Sequence, residues 1–387
     1  MRLPQGVSMN NAGNGTASVI REGYPCFFGP DDRLLADRIP SRRFLAASVS
    51  DLPTGIAERR VIHRPDGAFG FLHEAAITEF DGTLFASWYN CPVRELAGYT
   101  PIRERRSGDG GRTWSEATTV CADKSGRIMY CPPVYGTCGG KLYLFVNQMT
   151  APDHIHSLDL YVLGVDGKFG FLRSCPIPFK LNTNAVKLKN GKWMLPGRIG
   201  EPDGFPNTPS VLLSEGEALD GEWRVVKIAG NGVLPDGQSL VHPEITAIRS
   251  GGSIWMFCRD DRRRVPLVYL STDQGESWSG VMGHDIPCVP SKIYAGTLRG
   301  GRHYLIANID HADRSRLAVY FTDGDEPVFT KRLILYDARE HGIPGTGASH
   351  YPAACEADGK LYVIATLNFE TASRRGAVLY TIDTDRI

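Results

Sequence analysis

One pattern recurs six times along the 387-residue chain and limits what it can fold into. An apolar run leads to a two-residue turn ending in glycine, and a second apolar run follows. The turns are Asp81-Gly82, Gly139-Gly140, Asn190-Gly191, Gly251-Gly252, Gly300-Gly301 and Asp358-Gly359. The runs after them read TLFASWY, KLYLFVN, KWMLPGR, SIWMFCR, RHYLIAN and KLYVIAT. Such dipeptides favour the tight turns whose twist matches a β-hairpin, because glycine takes positive φ without a steric penalty. A third run follows in each unit: IRERRS, LDLYVLG, SVLLSE, PLVYLS, LAVYFT and AVLYTI. The closing glycine of the turn returns every 49 to 61 residues. A period of that size, with three or four strands per unit, describes a propeller. The expected fold is all-β, a six-bladed β-propeller of four-stranded antiparallel blades. One domain spans residues 1–387. Part of the first 70 or so residues is expected to supply the outer strand of the last blade and close the ring, which removes exposed sheet edges.

The repeat also places side chains. In a propeller the innermost strands begin on one face, around the central axis. The residue eight before each turn glycine is then equivalent in every blade: Glu74, Pro132, Thr183, Glu244, Ile293 and Tyr351. His73, Cys131, Asn182 and His350 precede four of these, and His242 lies two before Glu244. The second strand returns to the same face and ends at Asn90, Gln148, Arg198, Arg259 and Asn308. His73, Glu74, Arg198, His242, Glu244, Arg259, Arg316, His350 and Tyr351 are therefore expected to converge on one axial pocket. Convergent ionisable groups in a pocket mark a site. The same residues admit scaffold readings: Glu244 as a structural partner of Arg259, Tyr351 as a core tyrosine. The run Arg262-Arg-Arg264 reads as a solvated loop.

Apolar residues make up 42% of the chain, charged residues 22%, and the formal net charge is zero. That balance argues against bulk binding to nucleic acid or anionic membranes. No run approaches the ~20 apolar residues of a membrane span. The opening residues lack the apolar run of a secretion signal, so a cytoplasmic location is expected. The nine cysteines show no CxxC pairing and read as reduced core thiols. His73, His242 and His350, spread over distant blades, fit no compact metal motif. No metal or other cofactor is expected, and monomer and homo-oligomer both stay open.

Two third-strand turns carry a sharper signal. Ser107-Gly-Asp109-Gly-Gly111-Arg-Thr-Trp114 and Ser271-Thr-Asp273-Gln-Gly275-Glu-Ser-Trp278 both fit S-x-D-x-G-x-[TS]-W. Degenerate copies sit at Val165-Asp-Gly-Lys-Phe169 and Thr322-Asp-Gly-Asp325. This motif resembles the Asp box, or BNR repeat, of the sialidase (neuraminidase) superfamily. The box is structural: its Asp accepts N–H groups across the turn, its Gly supplies a special φ, and its Trp packs between blades. Residues 242–278 resemble the sialidase segment in which a catalytic Glu begins one strand (Glu244) and a substrate-clamping Arg ends the next (Arg259). Asn308 with Arg316-Leu-Ala-Val-Tyr-Phe-Thr resembles the segment bearing the third clamping Arg. His350-Tyr351-Pro resembles the segment bearing the Tyr nucleophile.

Two family elements are changed. Phe71-Leu-His73-Glu74-Ala stands where an Arg-Ile-Pro motif is usual, so His73 replaces the first Arg. Arg38-Ile39-Pro40 has no turn at the right distance and reads as chance. Between Tyr89 and Arg103 there is no Asp to act as acid/base; Asn90 and Glu95 are nearest. The resemblance implies an exo-acting glycoside hydrolase for an anionic or unusual sugar, with a carbohydrate, carboxylate-bearing, as partner. Tyr351 would be the nucleophile, Glu244 its base, and Glu74 or His73 the acid. Arg259, Arg316 and Arg198 would clamp the substrate, with His242, His350, Asn308 and Asn90 around it. A polysaccharide lyase or other uronate-active enzyme on the same scaffold is the alternative that His73 and the missing Asp favour. A non-catalytic carbohydrate-binding propeller is the third.

Overall fold

The computed structural model describes residues 39–200, 205–230, 232–235, 237, 239–261, 267–309, 313–341 and 347–387. Arg38 and the Arg262–Arg264 run lie outside them. Six antiparallel sheets follow one another in chain order. The first blade is built of Phe71–Phe80, Thr83–Cys91, Ile102–Ser107 and Thr118–Cys121. The sixth is built of Ser349–Ala357, Lys360–Asn368 and Arg375–Asp383, with Ala57–His63 as its outer strand. Chain ends from opposite sides of the sequence thus share one sheet. Its antiparallel ladder runs from Ala377 opposite His63 to Ile382 opposite Ala57.

The early chain does more than close the last blade. Ser41–Arg42 pairs in parallel with Met282–His284 on the rim of the fourth blade, and Leu45–Asp51 does the same with Phe329–Asp337 on the fifth. A strap therefore runs across three blades and covers two open sheet edges. Between its first two pieces Phe44 is fully buried, edge-on to Trp255 and Phe257 at 5.4 and 5.1 Å. Asp285 accepts the Phe44 and Leu45 N–H groups through Oδ1 at 2.7 and 3.1 Å.

Alternation drives the rest. Inner and second strands read as near-continuous apolar runs because both of their faces meet neighbouring blades. The two full Asp boxes have one geometry. Asp109 Oδ1 accepts Thr113 N–H at 2.9 Å, and Ser107 Oγ accepts Gly111 N–H at 2.9 Å. In the other box Asp273 and Ser271 do the same for Ser277 and Gly275, at 2.9 and 2.8 Å. Gly111 has φ +83°, and a Cβ there would lie 2.6 Å from Leu379 of the sixth blade. A side chain at Gly111 would press on the sixth blade, so this glycine lets the two blades approach closely. No disulfide joins any of the described cysteines.

Candidate active site

The inner strands of the first and sixth blades break register where the repeat places Glu74 and Tyr351. Pairing skips between His73 and Ala76, and between His350 and Ala353. At the break Glu74 and Tyr351 adopt left-handed φ values of 45° and 54°; His242 has 48°. A bulge re-aims a side chain. Left-handed backbone at a bulky residue costs about 1–3 kcal/mol and persists only where the surroundings enforce it.

What these side chains meet comes from other blades. Arg259 is central and buried. Its Nη1 donates to Glu244 Oε2 at 2.5 Å and to the Tyr351 hydroxyl at 2.7 Å, and its Nη2 donates to Asp261 Oδ2 at 2.8 Å. One guanidinium nitrogen thus joins the carboxylate of the fourth blade to the phenol of the sixth. His242 Nδ1 lies 2.7 Å from Asp261 Oδ2, at the more open rim. Glu74 bonds Lys292 Nζ of the fifth blade at 3.2 Å, and the Cys131 thiol lies 3.8 Å from its other oxygen. His73 shares a 3.0 Å hydrogen bond with Thr366, and its ring centroid lies 4.1 Å from that of Tyr351. His350 contacts both rings, at 5.2 Å from His73 and 5.7 Å from Tyr351, and its Nε2 lies 3.2 Å from Asn368 Oδ1. Arg198 is 3.6 Å from Asp153 and donates to the Pro206 carbonyl at 3.3 Å.

Three expected residues are used differently. The Arg316 guanidinium pairs with Asp337 at 3.0 Å, on the outer strand of the fifth blade, and does not join the axial cluster. Arg314, two residues earlier, lies 5.1 Å over the Tyr351 ring instead. A strand alternates its faces, but Arg314 precedes the strand, in the loop that reaches the axis. Asn308 is spent on scaffold: its Nδ2 donates to the Ser349 carbonyl at 2.8 Å, and its Oδ1 accepts Ser291 Oγ–H at 2.9 Å. Asn90 donates to the Phe71 carbonyl at 3.1 Å and accepts the Trp88 indole N–H at 2.8 Å. Both asparagines are fully buried and position the strands that carry the site.

The sequence reading missed several charges. Lys292 occupies the place in the fifth blade that His73 and His350 hold in theirs, so the repeat itself pointed to it. Lys180 lies opposite Arg198 in the ladder and ion-pairs with Asp153. Arg375 stacks on Phe71 at 4.5 Å, and its buried Nη1 has no hydrogen-bond partner among the described residues. Arg198 Nε is in the same condition. These polar groups converge only in three dimensions, and no linear motif joins them.

The electrostatics separate the groups by role. Burial works to raise the Glu244 pKa, but the Arg259, Lys292 and Arg198 charges prevail and hold it below the usual carboxylate range. Burial, with the Glu244 charge next, pushes the Tyr351 phenol well up, so it is neutral at rest. Burial, aided by nearby cations that include Arg375 and Arg314, keeps His73 and His350 as neutral imidazoles. Asp153 is pulled down to about 2, its burial outweighed by Lys180 and Arg198. Glu95 goes the other way: although the residue is exposed at the surface, the protein packed around its carboxyl and the Glu74 charge raise it, while Tyr89 donates to it at 3.2 Å. A depressed carboxyl that shares Arg259 with a neutral phenol, and a raised carboxyl that feels the Glu74 charge, make an acid/base-competent set.

The fold has solved counterparts. A Dyadobacter fermentans protein of unknown function aligns over 86% of this chain and 100% of its own, with 13% identity and a TM-score of 0.65. The NanB sialidase of Streptococcus pneumoniae aligns over 85% of this chain and 71% of its own, with 11% identity and a TM-score of 0.65. A Trypanosoma rangeli sialidase gives 16% identity and a TM-score of 0.64 over 85% of this chain. This chain spans 60% of that protein. Identities this low speak to the fold. No curated protein sequence matches the chain. The BNR repeat-like domain model matches residues 82–363, most of the chain, and the protein belongs to that family as a sialidase-like, six-bladed BNR-repeat propeller.

Proposed function

We propose that the axial cluster cleaves a terminal, carboxylate-bearing sugar from a glycan. The observation that carries this reading is the shared hydrogen bonding of Arg259 Nη1 to Tyr351 and Glu244. It sets a neutral phenol beside a carboxylate inside a shell of cations. A phenol suits attack on an anomeric carbon that bears a carboxylate, which would repel a carboxylate nucleophile. Tyr351 Oη attacks that carbon as its proton passes to Glu244. Glu95, the carboxyl with the raised pKa, protonates the departing oxygen and takes the role first assigned to Glu74 or His73. Water then attacks the glycosyl–tyrosine bond with Glu95 as base, and the proton on Glu244 returns to Tyr351. Arg259, Arg314 and Arg375 face the substrate carboxylate, and each charge-assisted bond contributes about 1.5–3 kcal/mol. Arg314 stands where the sequence reading had Arg316.

A specific contact supports a second reading. The neutral His73 ring against Tyr351 is the pair a lyase needs, one group removing the proton beside a carboxylate and the other protonating the leaving oxygen. A panel of fluorogenic sialosides, glucuronides and galacturonides, together with oligosaccharides containing a 4-linked uronate whose leaving oxygen lies β to the acidic C5 proton, each beside its neutral analogue, separates the two. Turnover of carboxylate sugars alone, without ultraviolet absorbance from an unsaturated product, supports hydrolysis. An absorbing product moves the protein to elimination. Binding without turnover on every member would leave a carbohydrate-binding propeller.

A further inference from the structure

A second cluster lies two strands out from the axis, in the cleft between the outer strand of the sixth blade and the third strand of the first. A cavity of about 450 Å³ opens there, lined among others by His63, Arg64, Asp66, Arg103, Arg105 and Glu116. That size falls within the roughly 300–1,000 Å³ of small-ligand sites. Arg103 and Arg105 lie two residues apart on Ile102–Ser107, so they share one face of the strand, and both line this cleft.

The polar groups of this cavity are unevenly satisfied. Arg103 donates to Asp66 Oδ2 at 3.1 Å and to Asn90 Oδ1 at 3.3 Å. Arg105 donates through Nη1 to the Ile62 carbonyl at 2.9 Å, but its buried Nε has no partner among the described residues. His63 is 5% exposed, and both of its ring nitrogens lack a hydrogen-bond partner among the described residues. Its ring lies against Trp88, with centroids 4.9 Å apart, which fixes its orientation. Burial and the Arg105 and Arg103 charges lower its pKa to about 4, so at neutral pH it offers one N–H donor and one acceptor. A buried polar group left unpaired is costly, and two such groups line one cavity. Three arginines face two carboxylates there, which leaves one excess positive charge.

We infer that this cleft is a second binding site, for a small hydroxylated carboxylate such as a uronic acid. The carboxylate meets the Arg105 Nε–H and the excess charge, and a neighbouring hydroxyl both accepts from and donates to the His63 ring. A bare anion satisfies only the first set of groups, and a neutral sugar only the second. The site is independent of what the axial cluster does.

The test is an NMR titration of the His63 imidazole signals at neutral pH. D-Glucuronate is expected to shift them saturably, and D-glucose to leave them unmoved. Loss of a charged hydrogen bond in Arg105→Met is expected to weaken binding by about tenfold or more. Arg105→Lys keeps the charge but loses the Nε–H, and is expected to weaken it too. Arg314→Met, which alters the axial cluster, is expected to leave this titration intact. No saturable shift with glucuronate, or an equal response to glucose, would overturn the proposal. A response lost in Arg314→Met and kept in Arg105→Met would assign the ligand to the axis and overturn it as well. Inorganic phosphate binding as well as glucuronate would remove the hydroxyl requirement, and with it the ligand class.

Discussion

Arg259 holds the axial site together because its guanidinium serves a phenol and two carboxylates at once. Such a pair is weak evidence for stability as built, but breaking it from one side is costly. Arg259→Met strands Glu244 in a buried place without its cation. A loss of about 3–5 kcal/mol in denaturant unfolding is expected. Part of it should return in the double variant with Glu244→Gln, because the stranded charge is then gone. The pH dependence follows from the same groups. Glu244 is depressed in the fold, so its pairing stabilises the protein above the unfolded-state pKa of about 4.3 and is lost as pH falls through the lower folded value. Glu95 is raised, so as the acid it stays protonated beyond the ordinary glutamate range. The kcat/KM profile should be a bell whose acid limb belongs to Glu244 and whose alkaline limb belongs to Glu95. Glu95→Gln should lower kcat/KM and remove the alkaline limb; an unchanged limb would reassign the acid.

The strap of residues 41–51 is the part of the fold that the repeat did not announce. Its pieces are short, pair in parallel, and lie far in sequence from their partners, so no periodicity marks them. The hairpin turns were legible because glycine at positive φ is a local requirement. The outer strand Ala57–His63 was legible only as a missing fourth strand that something had to supply. Phe44 is what anchors the strap, and Phe44→Ala is expected to cost about 3–5 kcal/mol. Hydrogen exchange should then accelerate first in Met282–His284 and Phe329–Asp337, the rim strands it covers. Uniform acceleration over all six blades would mean that the strap has no separate role. Site residues divide the same way. Glu244, Arg259, Tyr351 and His73 follow from their places on the repeat. Arg314 and Asp153 sit in loops, whose path no period dictates, and Glu95, also in a loop, was legible only as a near candidate for the missing Asp.

Across the whole molecule, a propeller turns six unremarkable strand starts into one charged focus. Several blades contribute groups to it, none of them diagnostic alone. Closure by the sixth blade brings Tyr351 to Arg259 across 92 residues of sequence and Glu74 to Lys292 across 218. The inference that these groups act as one catalytic unit rests most heavily on Tyr351. The decisive measurement is turnover by wild type and Tyr351→Phe of the best carboxylate-bearing glycoside, with the mutant's fold checked by its unfolding midpoint. The substitution removes one hydroxyl and leaves the ring against His73 in place. With Tyr351 as nucleophile, kcat should fall by roughly a thousandfold or more at an unchanged fold. A mutant that keeps kcat within about tenfold of wild type would contradict a tyrosine nucleophile and the mechanism built on it.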